Sequence, residues 1–356
     1  VIRVLVVDDS AVVRQVLTQK LNACPDIEVV GTAVDPYVAR QRILELKPDV
    51  ITLDVEMPRM DGLTFLEKLM THQPMPVVVL SSLTQKNSPN AMRAYELGAV
   101  EVIPKPDSSI SVPEVGQHLV RAVLAAAAAR VRRYEGPKPG VEKPSGVVQG
   151  LETTSSVVAL GASTGGPQAL ETVFRALPAT FPGTLVVQHM AAGSFTRSFA
   201  DRLDGASAMR VQVAEDGQPV SRGLALIAPA GYHLVLQRSG ASYVARVKDG
   251  PLLHHVKPAI DFLFDSVAKH AGANAVGALL TGMGADGAKG LASLRNAGAH
   301  TIAESEQTCV VFGMPRAAIQ LGAAVEVLPL DRVAPALVKA LAGRAAYGGL
   351  AARQTG

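Results

Sequence analysis

Tryptophan is absent from this chain and cysteine nearly so: Cys24 and Cys309 are the two thiols among 356 residues, and aromatics make up only 4%. Two distant cysteines with no metal-ligand spacing around them exclude a disulfide framework, and they fit a reducing compartment. Both are expected to be buried free thiols. Neither sign of charge predominates, since 34 Lys+Arg against 31 Asp+Glu leaves +3. No basic stripe interleaved with aromatics offers a nucleic-acid surface. No apolar run approaches the roughly 18 residues needed to span a membrane, and Leu124–Ala129 is only an alanine-rich helical segment. The first residues enter a strand-like run without the basic region and long apolar core of a signal peptide. The expected location is therefore the cytoplasm, without direct membrane insertion.

What is present exceeds one hydrophobic core, so two domains are the default expectation. From residue 1 to about 130, the β-branched runs Ile2–Val7, Ile27–Ala33, Val50–Leu53, Val77–Leu80 and Val100–Ile103 alternate with helical patterns. One of these, Ala11–Leu21, sets Val12, Val13, Val16, Leu17 and Leu21 on a single predicted face, with Ser10 as N-cap. Alternation of this kind predicts parallel βαβ units in a doubly wound sheet. Residues 131–152, rich in Pro and Gly from Gly136 to Gly146, read as a linker. Strand patterns resume at Val157–Gly161, Thr184–Val187, Ala225–Ala228, Ala275–Leu280 and Ala323–Leu328, with helices expected over Gln168–Leu177, Ala259–His270 and Ala288–Ala297. Tyr232–Gln237 and Tyr243–Lys248 predict an antiparallel hairpin attached to this second α/β unit, which spans 153–345. A flexible tail is expected over 346–356.

Ligands of open α/β sheets gather at the carboxyl ends of the strands. Asp8, Asp9, Asp54, Ser81 and Lys105 all fall there in the first unit. Mg²⁺ takes carboxylate oxygens, waters and phosphate oxygens in near-octahedral geometry, and Asp8, Asp9 and Asp54 supply the carboxylates. A carboxylate also attacks phosphoryl groups when metal and Lys contacts neutralise the transferring charge. Asp54, alone at the end of a central strand, is the best such nucleophile, with Lys105 and Ser81 meeting the phosphoryl oxygens.

In the second unit Gly161-Ala162-Ser163-Thr164-Gly165-Gly166 follows a strand and precedes Pro167, so Ser163 is expected on a strand-to-helix turn beside exposed N–H groups. By itself this glycine-rich turn is equally suited to a phosphate, which leaves open a receiver-controlled ligand- or nucleotide-binding module without hydrolase activity. His189 ends the next strand pattern and Asp286 follows Ala275–Leu280, which brings both to the same edge as Ser163 and favours a hydrolase. Asp286 is also a plausible N-cap for the helix beginning near Gly287. His72, His118, His270 and His300 read as structural; His233, His254 and His255 remain open as pocket residues.

The first third resembles the receiver domain of bacterial response regulators, through the paired acids, the run Asp54-Val55-Glu56-Met57-Pro58-Arg59-Met60-Asp61-Gly62, Ser81 and Lys105-Pro106. The resemblance implies a flavodoxin-like fold with a five-stranded parallel sheet, Asp54 as phosphoacceptor from a chemotaxis histidine kinase, and Mg²⁺ held by Asp9 and Asp54, with Asp8 assisting and Glu56 offering its carbonyl. The second half resembles the catalytic domain of chemotaxis-type protein-glutamate methylesterases, which also deamidate glutamines. The stretches concerned are Gly161–Gly166, Gln188-His189-Met190, Phe195–Phe199, Pro229–His233, Thr281–Gly287 and Val310–Arg316. This resemblance implies a Ser163-His189-Asp286 triad, an oxyanion site from the Met283 backbone N–H lined by Thr164, methyl-accepting receptors as substrates, and no cofactor for the ester chemistry. It also implies that the unphosphorylated receiver obstructs the catalytic face.

Overall fold

The computed structural model describes residues 1–81, 88–105, 112–136, 156–190 and 193–351. The chain divides into two compact units, Val1–Lys138 and Pro139–Gly356. The linker expectation lies outside the described residues from 137 onward, as do Pro106 and residues 352–356. Between 131 and 136 the chain is still tied to the first unit, for the Tyr134 amide donates to the Met70 carbonyl at 3.1 Å.

The first unit runs β1 (Ile2–Val7), α1 (Ala11–Asn22), β2 (Ile27–Ala33), α2 (Pro36–Leu46), β3 (Val50–Asp54), α3 (Gly62–His72), β4 (Val77–Ser81), α4 (Ser88–Glu96), β5 (Glu101–Pro104) and α5 (Val112–Ala127). Its strands form one parallel sheet in the order β2-β1-β3-β4-β5. Helices cover both faces of such a sheet, which is why β3 and β4 are buried at every position. The order reverses between β1 and β3, and that reversal opens a crevice beyond their carboxyl ends. Ser10 caps α1 as expected, its hydroxyl accepting from the Val13 amide. Leu17 and Leu21 are buried but Val12 is 70% exposed. At about 100° per residue Val12 lies roughly 140° from Leu17 and 180° from Leu21, so it belongs to the opposite face.

The second unit runs β6 (Val157–Ala162), α6 (Gly166–Arg175), β7 (Thr184–Gln188), α7 (Gly193–Ala206), β8 (Arg210–Val213), β9 (Leu224–Ile227), β10 (His233–Ser239) and β11 (Ser242–Lys248). It continues through α8 (Ile260–His270), β12 (Ala275–Leu279), α9 (Ala288–Asn296), β13 (His300–Glu304), α10 (Met314–Gln320), β14 (Glu326–Leu328) and α11 (Leu330–Ala351). Seven strands pair in parallel in the order β14-β13-β12-β6-β7-β9-β8, and β10 and β11 form a separate antiparallel hairpin. Leu234, Leu236, Tyr243 and Ala245 of the hairpin share one core with Ile260, Leu263, Phe264 and Val267 of α8. Each such large apolar side chain contributes about 1.5–3 kcal/mol on full burial, so the hairpin anchors α8 and with it the helix's first turn.

Two differences from the sequence expectation concern the ends of the unit. The strand expected over Ala323–Leu328 begins only at Glu326, and residues 346–351, expected as flexible tail, continue α11 to Ala351. Cys309 is buried and Cys24 half-buried; both are free. Among the described residues no helix is long and apolar enough to cross a membrane.

Candidate active site and acidic cluster

Three neighbouring central strands, β12, β6 and β7, each deliver one polar residue to the carboxyl edge of the second sheet. Ser163 comes one residue after β6, His189 one residue after β7, and Asp286 in the loop that joins β12 to α9. Gly165 adopts φ 78° at the N-terminus of α6, a left-handed conformation that suits glycine. The turn it closes leaves the Ser163 side chain half-exposed.

These residues form a hydrogen-bonded series. The His189 Nδ1 lies 3.1 Å from Ser163 Oγ, and its Nε2 lies 2.9 Å from Asp286 Oδ2. With the Nε2 proton donated to the carboxylate, Nδ1 carries the lone pair that faces the serine hydroxyl. Asp286 is buried, and it also accepts from the amides of Ile260 at 2.7 Å, Asp261 at 3.0 Å and Gly287 at 2.9 Å. Burial pushes its carboxyl up, but the His189 bond and these amides outweigh burial and hold it below the usual carboxylate range. The group therefore stays ionised at neutral pH.

Asp286 is a cap, though of a different helix from the one its sequence position suggests. Ile260 and Asp261 open α8, so Asp286 satisfies orphan donors there, whereas α9 begins behind Gly287 with no side-chain cap. A contact 25 residues distant in sequence leaves no local signal. Neighbouring Asp261 accepts from the Gly290 amide at 2.7 Å and from His254 Nε2 at 3.2 Å. Burial, and then the Asp286 charge, raise its carboxyl against these bonds. His233 is a buried brace rather than a pocket group: it accepts at Nδ1 from the Ala259 amide and donates from Nε2 to the Pro251 carbonyl.

The Ser163 backbone is held by the Thr281 carbonyl, to which its amide donates at 3.0 Å. Thr281 in turn donates its hydroxyl to the Thr164 carbonyl at 3.0 Å. A Cβ added at Gly282 would lie 2.7 Å from Ser163 Cβ, so only glycine lets the 281–287 loop approach the serine this closely. Met283, 41% exposed, follows directly, and Thr164 is buried beside the turn.

The first sheet carries a second cluster. Asp8, Asp9 and Asp54 each offer a carboxylate oxygen within 4.8 Å of the others. Lys105 Nζ lies 2.7 Å from Asp54 Oδ1 and 3.3 Å from Asp8 Oδ2, and the Glu56 amide donates to Asp54 Oδ1 at 3.0 Å. Burial pushes the Asp54 carboxyl up to about 6 despite Lys105, and it raises Asp8 too. Lys105 is lowered by burial but raised more by Asp54 and Asp8, so it remains charged. Two buried carboxylates therefore face one ammonium, and a positive charge is wanting. Among the described residues, Asp54 Oδ2 and the Ser81 hydroxyl are buried without a hydrogen-bond partner, oxygens that a hard divalent cation and a phosphoryl group would satisfy.

Residues 158–337 match the CheB methylesterase family, and residues 4–112 match the response regulator receiver domain. The chain is 52% identical over 342 residues to a protein-glutamate methylesterase/protein-glutamine glutaminase of Syntrophus aciditrophicus, covering 95% of this chain and 98% of that protein. It is 50% identical over 348 residues to the protein of the same name from Bdellovibrio bacteriovorus, covering 96% and 98%. The crystal structure of the Thermotoga maritima CheB methylesterase catalytic domain superposes with a TM-score of 0.51 at 40% identity, over 52% of this chain and 98% of that one. By these likenesses the chain belongs to the CheB methylesterase family and carries a response regulator receiver domain ahead of its catalytic half.

Proposed function

We propose that this chain is a phosphorylation-activated serine hydrolase that removes methyl esters from glutamate side chains of methyl-accepting chemotaxis receptors and deamidates selected glutamines there. The observation that carries the reading is the unbroken series from Ser163 Oγ through His189 to Asp286. Ser163 Oγ attacks the ester carbonyl carbon while His189 Nδ1 takes the hydroxyl proton, and the ionised Asp286 steadies the imidazolium. The oxyanion faces the Met283 backbone N–H beside Thr164, where one such donor is worth roughly 2.7–4 kcal/mol. The tetrahedral species collapses to an acyl-Ser163 ester as the bond to the methoxy oxygen breaks and His189 returns the proton to that oxygen, releasing methanol. Water, deprotonated by the same imidazole, then releases the glutamate. With a primary amide the leaving group is ammonia and the steps are otherwise unchanged.

In the receiver, Asp54 accepts a phosphoryl group from the chemotaxis histidine kinase. Asp8, Asp9, Asp54 and the Glu56 carbonyl would hold a Mg²⁺ ion, which would supply charge neutralisation there. Lys105 and the Ser81 hydroxyl then engage the phosphoryl oxygens, whose charge of roughly −2 is the signal that activates the catalytic half. A cytoplasmic setting agrees with two free thiols in separate units. The test is methanol release from methylated receptor. Ser163→Ala should abolish it, and turnover undiminished by that substitution would remove the hydrolase reading in favour of a binding module.

A further inference from the structure

Gln188 closes β7 immediately before His189 and is 1% exposed. Its Nε2 donates to the Ser163 carbonyl at 3.0 Å and to the His189 carbonyl at 2.9 Å. A carboxamide nitrogen carries two hydrogens, and here each is spent on the main chain of one member of the Ser–His pair. The Ser163 carbonyl accepts a second bond from the Gly166 amide at 2.6 Å, and the His189 amide donates to the Ala162 carbonyl at 3.2 Å. The Gln188 amide is thus the one side chain that spans both turns at this edge among these bonds. A Cβ at Gly166 would fall 1.9 Å from Gln188 Oε1, so the glycine keeps open the slot that the carboxamide occupies.

Resting on the serine-hydrolase reading above, we propose that Gln188 is a positioning residue: its amide fixes the splay of the β6 and β7 ends and so holds His189 Nδ1 at attack distance from Ser163 Oγ. It touches no substrate. Its loss should move the two groups apart without altering receptor binding, and a displacement of about 1 Å costs on the order of 10²-fold in rate.

The experiment compares the full chain with Gln188→Met, which keeps the length but removes both donors, and Gln188→Glu, which keeps the shape. For each, KM and kcat for methylated receptor are measured beside the labelling rate of Ser163 by a small serine-directed phosphonate, with circular dichroism as the check on folding. The expected result is KM within about twofold of wild type, kcat lowered about 10- to 10²-fold, and labelling slowed by a similar factor. A folded Gln188→Met variant with wild-type kcat and labelling rate overturns the positioning role while leaving the hydrolase intact. Failure of both Gln188 variants to fold overturns it too, by making the residue a core group. Absence of labelling at Ser163 in the wild-type chain defeats the underlying reading instead.

Discussion

Replacing Asp286 by Asn removes one charge and turns one acceptor into a donor, and the geometry specifies which. Asp286 accepts from His189 and Ile260 at Oδ2 and from Asp261 and Gly287 at Oδ1. With the new NH₂ in the Oδ1 position, two backbone amides face a donor. In the Oδ2 position only the Ile260 amide does, because His189 can accept at Nε2 if its proton moves to Nδ1. The second orientation keeps one more hydrogen bond, about 1 kcal/mol, a preference of roughly fivefold. It is also the inactive one, since a protonated Nδ1 has no lone pair for Ser163. Loss of the charge-assisted bond to imidazolium removes roughly another 1–2 kcal/mol from the transition state. The product is a kcat loss of at least about 30- to 10²-fold, with about 10⁴, the cost of the equivalent change in a serine-protease triad, as the upper bound. The Ile260 amide left without an acceptor should lower stability by about 1–3 kcal/mol. The assay is methanol release from methylated receptor by folded protein, with thermal unfolding alongside. Wild-type kcat in folded Asp286→Asn would falsify the tautomer argument.

The acidic cluster gives two further expectations. Because burial raises the Asp54 carboxyl to about 6, the metal-free fold binds that proton more tightly than the unfolded chain does. Its stabilising contribution is full below the ordinary carboxylate value and lost as pH rises through 6, by at most about 3 kcal/mol. Asp54→Asn should accordingly raise the unfolding midpoint at pH 7.5 without Mg²⁺, and an unchanged or lower midpoint contradicts this. Mg²⁺ affinity, measured by titration calorimetry, should weaken below pH 6 as the cation comes to compete with that proton; a flat profile from pH 5 to 7.5 counts against Asp54 as ligand. The catalytic half expressed alone from residue 151 should turn over methylated receptor faster than the unphosphorylated full chain, and equal or slower turnover argues against obstruction by the receiver.

Much of this arrangement is readable in the residues, and what escapes is long-range. The strands that end at or one residue before Asp54, Ser81, Ser163 and His189 are predominantly apolar and buried at every position, and such runs stand out in a sequence. β8 and β13 do not: Arg210–Val213 alternates polar with apolar positions but over only four residues, and His300–Glu304 mixes the two with neither alternation nor a solid apolar run. The glycine-rich turn after β6 suits a phosphate or a nucleophile equally. What favours the nucleophile in the fold is the adjacency of β12 and β7 to β6, a property of topology. The partners of Asp286 in α8, and the carboxamide of Gln188 behind the Ser–His pair, are likewise tertiary contacts between unremarkable residue types.

A serine hydrolase of this kind requires Ser163 to be a nucleophile activated by His189. Reaction of the full chain with a serine-directed phosphonate, followed by mass spectrometry of its peptides, tests this directly. The predicted result is a single adduct on Ser163, absent in Ser163→Ala and strongly slowed in His189→Gln. An adduct at another residue, or labelling that persists unchanged in both variants, would contradict it.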